Sequence, residues 1–270
     1  MNLYHYTDQN GFLGIIENRF LWATKIQYLN DRNELNLALN IAGEVLEQQA
    51  SISKDSTELF RIKRLIENLE NIVDINICVC SLSEKGDLLS QWRGYSSGMG
   101  GYSIGFDKDA LEICVRELGF ELYKCEYDLR EQRKHIESVV EETLQTFKNY
   151  DEPLTESIGY SSDSASYFNQ KLANISPIIK DPSFEEEAEW RLVSKGGINF
   201  DNLNFRTGRS MLIPYYKLKL NGNLNELIPE IIVGHTPNIE LATKATRALM
   251  FKHKITKSRV IPSSIPFRDW

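Results

Sequence analysis

Glu189 and Arg191 stand two residues apart in the segment EWRLV. On a strand, that spacing puts a carboxylate and a guanidinium on one face while Trp190 and Leu192 take the other. On a cleft wall, the carboxylate could stabilise a developing positive charge or orient a hydroxyl, and the guanidinium could hold an anion through two hydrogen bonds. Facing outward, the same pair is a surface ion bridge worth about 0.5 kcal/mol. A second group lies in residues 87–106, DLLSQWRGYSSGMGGYSIGF, where Trp92, Arg93, Tyr95 and Tyr102 surround Gly98, Gly100 and Gly101. Glycine permits positive φ and close backbone approach, so this spacing predicts a tight loop that a ligand can reach, with aromatics beside it to stack on a flat ring. A hairpin turn with aromatic packing beneath it accounts for the same pattern.

Other chemistries find little support. His5, His135, His235 and His253 are scattered and form no HxH or HExxH pattern, so no metal site is expected. There is no GxSxG elbow, no Walker lysine loop and no GxGxxG after a strand. Cys78, Cys80, Cys114 and Cys125 make no CxxC pair and read as buried free thiols in a reducing compartment. The net charge of -7 supplies no global field toward nucleic acid or anionic membrane. With 41% hydrophobic and 26% charged residues, the 270-residue chain reads as globular, with neither a leader pattern nor an apolar run of membrane-spanning length. The expectation is a cytoplasmic protein.

The elements that must position these groups come from both ends of the chain. Residues 2–7, NLYHYT, read as a strand; Asp8 caps a helix closing near Asn18; residues 20–24 form a second strand. Helices follow at about 34–49 and 56–72, then an apolar strand at 75–82 buried on both faces. A strand at 102–106, a helix from Asp107 to about 118 and a strand at 122–127 come next. Residues 128–180 are mostly helical and acidic, with a Ser-rich break at 151–166, and His135 there reads as part of a solvated face. Strands are expected at 189–195, 209–214, 215–220, 229–234 and near 258–262, with a helix at 238–252. This order describes one α+β domain over residues 1–270 with a helical insertion at about 128–180.

Several motifs in order extend this reading: Leu3-Tyr4-His5-Tyr6-Thr7, Leu21-Trp22-Ala23, Asn30-Asp31 with Glu34, Cys80-Ser81-Leu82-Ser83, Gln91-Trp92-Arg93-Gly94-Tyr95, the segment 101–106 and Glu187-Ala188-Glu189-Trp190-Arg191. Together they resemble the bacterial family known as domain of unknown function 2971. The opening Tyr-His-Tyr-Thr and the late Ala-Glu at a strand start also resemble, more remotely, ADP-ribosyltransferases, including the DarT-type enzymes that modify DNA.

That likeness implies an ADP-ribosyltransferase-like split β-sheet core with flanking helices, binding NAD as substrate in its cleft. Carried over by position, His5 would hold the nicotinamide-side ribose, Tyr95 or Tyr102 would stack on nicotinamide, and Glu189 would be the catalytic carboxylate, with Glu187 its competitor. Tyr4, Thr7, Trp22, Trp92, Arg93, Tyr102 and Arg191 would line the NAD site; the resemblance fixes no role for Asn30 and Asp31, but as polar residues after the second strand they could reach the same cleft. Arg93 and Arg191 would neutralise the pyrophosphate, and the glycines would let backbone amides approach it. The ADP-ribose acceptor stays open among water, nucleic acid and protein, as would suit a toxin or phage-defence effector. The alternative is a module that senses a nucleotide without turning it over, or one that only contacts other proteins.

Overall fold

The computed structural model of the protein describes residues 1–29, 34–69, 72, 75–96, 100–149, 163–208 and 210–266. Its first strand, β1 (Asn2–Asp8), ends in an aspartate whose side chain accepts from the Gly11 amide at 2.7 Å and so starts α1 (Gln9–Asn18). Arg19, in the left-handed region, closes that helix and sends the chain into β2 (Phe20–Lys25). Two helices follow, α2 (Glu34–Ile52) and α3 (Ser56–Asn68), and then β3 (Cys78–Ser83). α4 (Leu89–Tyr95) leads to β4 (Gly101–Asp107), α5 (Lys108–Arg116) and β5 (Phe120–Lys124). The long helices α6 (Leu129–Asn149) and α7 (Asp163–Ile175) precede β6 (Glu189–Ser194). The chain ends through β7 (Asn204–Thr207), β8 (Leu212–Lys219), the single turn α8 (Leu224–Leu227), β9 (Glu230–Val233), α9 (Ile239–Lys252) and β10 (Arg259–Pro262).

The strands make one mixed sheet in the order β10-β9-β4-β1-β3-β2-β8-β7, with β6 and then β5 branching from β3. β10 and β9 are parallel and the other pairs antiparallel. β3 is buried on both faces: Cys78, Cys80 and Leu82 join the core beneath α1, α5 and α9, while Val79 joins a second core built by α2, α3, α6 and α7. A chain that must satisfy two cores from one strand needs a near-continuous apolar run, which is what this segment has.

The described helices of 128–180 pack with α2 and α3 into one helical layer over β3 and β6. Two expectations on the strands are corrected. The strands expected at 209–214 and 215–220 are one strand, β8, with Pro214 inside it opposite Phe205 of β7. β7, a short strand on the sheet edge, was not foreseen. Residues 151–162 of the Ser-rich break lie outside the described residues.

Candidate functional site

The sheet splits at β3. β1 touches β3 only at Tyr4↔Ser83, and β2 only at Thr24↔Val79 and Lys25↔Cys78, so the middle of β3 has no strand partner on that edge. The orphaned Ser81 carbonyl is met instead by His5 Nδ1 at 3.0 Å. Into the gap opens a cleft of about 490 Å³ lined by β1, the start of α1, β2, β3, α4, the segment around Lys180 and β6, a volume in the range of small-molecule sites. A second cavity of about 320 Å³ shares His5, Thr7, Asn10, Gly11 and Trp22 with it.

On the β6 side the wall is ionic. Strand alternation puts Glu189 and Arg191 on one face, away from Leu192 in the first core, as expected. Register places Glu189 opposite Ser83 and Arg191 opposite Ser81. Arg191 donates from Nε to Glu189 Oε1 at 2.7 Å, from Nη2 to Oε2 at 3.0 Å and from Nη1 to the Pro177 carbonyl at 2.7 Å. Lys180 bonds the same Glu189 Oε2 and reaches Glu187 Oε2 at 2.6 Å. Both carboxylates meet Lys180 because Ala188 between them adopts φ 43°, ψ 53°, a left-handed conformation uncommon for a residue with a Cβ. Ser83 Oγ fixes that bend by donating to the Glu187 carbonyl at 2.6 Å.

Burial works against a charged Glu189, but the adjoining Arg191 and Lys180 outweigh it and bring the carboxyl down to about 2 from 4.5. A folded value below the unfolded one means stability that is present above about pH 4.5 and is lost as pH falls from there toward about 2. The expected loss is on the order of 3 kcal/mol for Glu189 alone. Acid denaturation of wild type beside Glu189→Gln checks it, and equal stability slopes in that window would refute the assignment.

The other wall residues have distinct environments. Because a carbonyl can only accept, His5 Nδ1 carries the proton; burial pulls the imidazole below its usual value, so it is neutral and keeps Nε2 as an acceptor. The neighbouring Cys80 thiol, 3.8 Å from the same nitrogen, is pushed up to about 12 by burial and by Glu189, so it is no thiolate nucleophile. Tyr95, at the end of α4, is 40% exposed and lines the cleft. Burial of its hydroxyl and the charges of Glu189 and Glu187 push that group up to about 12. Tyr4, Thr7 and Trp22 also line the cleft.

With this geometry in view, the family comparison bears on the same segment. Residues 91–192 match the family described as protein of unknown function (DUF2971). The matched stretch includes Tyr95, Lys180, Glu187, Glu189 and Arg191, one side of the cleft, while β1 and β2 lie before it. No curated protein and no solved structure matches the chain.

Several expected site residues lie elsewhere. Trp92 is 1% exposed and packs against Tyr6 and Ile232, its indole N–H donating to Asp87 at 2.8 Å. Tyr102 stacks on Phe12 with ring centroids 4.0 Å apart, so of the two tyrosines Tyr95 is the one at the cleft. Arg93 is exposed on α4 and does not line the cleft. Gly100, at φ 85°, and Gly101 lead into β4, where the Gly101 carbonyl accepts from the Gly234 amide; neither approaches the cleft. Asn30, Asp31 and Gly98 lie outside the described residues. Lys180 and Arg206 line the cleft without having been foreseen. Among the described residues no group of three or more His, Cys, Asp or Glu side chains could hold a metal ion, and no helix is long and apolar enough to cross a membrane.

Proposed function

We propose that the cleft binds NAD and cleaves its nicotinamide–ribose bond, passing ADP-ribose to water or to a hydroxyl or amine of an acceptor. The observation that carries this reading is the split on β3, which gathers His5, Tyr95 and Glu189 around one opening although they come from β1, α4 and β6. Neutral His5 offers Nε2 to a ribose hydroxyl. Tyr95 offers a ring to the nicotinamide. As the C1′–N bond breaks, its electron pair leaves with nicotinamide and positive charge develops on the ribose, which a fixed carboxylate stabilises. Glu189 supplies that charge. Glu187, partly exposed and with only one oxygen engaged by Lys180, is placed to take the proton of the attacking group.

One feature favours the second reading, a nucleotide sensor. Both oxygens of Glu189 are held by Arg191 and Lys180, so two cations beside it offset its field. The experiment that separates the two is nicotinamide release from NAD by the purified protein, with DNA, RNA or lysate protein added as acceptors. Turnover is expected, falling about a hundredfold in folded Glu189→Gln, in line with loss of one electrostatic contact, and about tenfold in Tyr95→Ala. Calorimetric NAD binding without any nicotinamide release would establish the sensor instead, and absence of both would remove NAD from the cleft.

A further inference from the structure

The cleft has a cation that its own carboxylates leave unmatched. Lys180 and Arg191, on the β6 side, are paired with Glu187 and Glu189. Arg206 of β7 lines the opposite side, reached through β8 and β2. Among the described residues no carboxylate pairs with it. Its Nε is buried with no hydrogen-bond partner, and its one bond is a long one, Nη2 to Thr24 Oγ1 at 3.4 Å. The guanidinium lies over the Trp22 ring at 5.7 Å, a cation–π contact at the cleft wall. Burial without a counter-charge draws its pKa below the usual arginine value. A guanidinium held partly out of water with donors unused is costly, and an anion bound there would relieve that cost.

We infer that Arg206, with the Thr24 hydroxyl beside it, forms a subsite for the phosphoryl groups of a nucleotide. The Thr24 oxygen accepts from Arg206, which leaves its own hydrogen to donate to a phosphate oxygen. The planar fork of arginine matches the oxygens of a phosphate or pyrophosphate. Trp22, 47% exposed and tilted against Tyr215 with centroids 4.8 Å apart, adds an aromatic surface next to the anion site, which suits a phosphate joined to a flat base better than a simple carboxylate. This replaces Arg93 as the pyrophosphate's partner and leaves Arg191 to hold Glu189. The inference rests on the cleft taking a nucleotide, but not on any bond being broken there.

The test is calorimetry with ADP, adenosine and inorganic pyrophosphate on wild type, Arg206→Gln and Arg206→Lys. Wild type binds ADP at least about tenfold more tightly than adenosine and also binds pyrophosphate; Arg206→Gln loses about ten- to a hundredfold for ADP with adenosine unchanged, the range for a hydrogen bond to a charged group. Arg206→Lys recovers part of that loss, and the wild-type preference for ADP shrinks as salt is raised. An equal ADP-to-adenosine ratio in wild type and Arg206→Gln, or no preference in wild type, overturns the subsite. NAD turnover that persists with an unchanged ratio removes the subsite alone, whereas Arg206-dependent ADP binding without nicotinamide release removes the reaction alone.

Discussion

Glu189→Ala is expected to cost about 3–5 kcal/mol of folding stability, the range seen when one member of a buried ion pair is removed. Lys180 is 4% and Arg191 1% exposed, so both are largely withdrawn from water when the carboxylate that joins them is gone. Lys180 keeps Glu187, but Arg191 loses the carboxylate that takes its Nε and Nη2 bonds in a low-dielectric wall. The remaining positive charges also face each other without the anion between them. The size of the effect comes from stranding charge, and it has a corollary: changing Lys180, Glu189 and Arg191 together to Met, Leu and Met should recover most of the loss. Urea unfolding of the two variants measures both. A Glu189→Ala midpoint indistinguishable from wild type would mean that the cluster is solvated and that Glu189 is freer than its bonds imply. Because of this coupling, activity in any Glu189 variant has meaning only beside a measurement of its folded fraction.

Trp92→Ala should be similarly severe, about 3–5 kcal/mol, for an unrelated reason. The indole meets Tyr6 edge-on with centroids 4.9 Å apart, and a Cβ on Gly234 would stand 2.8 Å from it, so the ring is clasped between β1 and the end of β9. Truncation opens a large cavity there and also removes a donor from Asp87, which still has Ser263 and Ser264. Trp92→Phe keeps the apolar volume and should cost only about 1–2 kcal/mol, the share of the indole hydrogen bond and of the lost ring. If the cleft takes a nucleotide as proposed, its affinity in folded Trp92→Phe is expected to stay at the wild-type level. Loss of binding with stability intact would put the indole back among the ligand contacts.

These two residues show what could be read from the chain and what could not. The face shared by Glu189 and Arg191 follows from the period of two in a strand, and β6 keeps it. Asp8 as a cap likewise depends only on local geometry, and the cap forms. Whether an aromatic lies in a core or at a cleft is not a local property: Tyr95 and Tyr102 each stand between a glycine and a serine, Trp92 is three residues before Tyr95, and only tertiary packing sends Trp92 to a core, Tyr95 to the cleft and Tyr102 onto Phe12. Lys180 was invisible because a lone lysine after a proline-containing stretch resembles any surface charge until folding seats it against Glu187, Glu189 and Phe184. Arg206 sits on a four-residue edge strand, NFRT, too short and too polar to alternate, and Pro214 broke the pattern of the strand it pairs with.

The branching of the sheet at β3 also bears on how the protein is made. β3 pairs through Cys80↔Leu192 and β2 through Trp22↔Lys217, so each waits for a partner synthesised long after it. A nascent chain that has just extruded β5 carries β2 and β3 with bare edges and an apolar helix face in α2 and α3 that α6 and α7 have yet to cover. Long-range pairings of this kind make folding slow and leave half-made chains prone to stick to one another. The opening on β3 is therefore completed only once β6 and β8 have emerged, and a product truncated before β8 would be an aggregation-prone fragment rather than a smaller version of the protein.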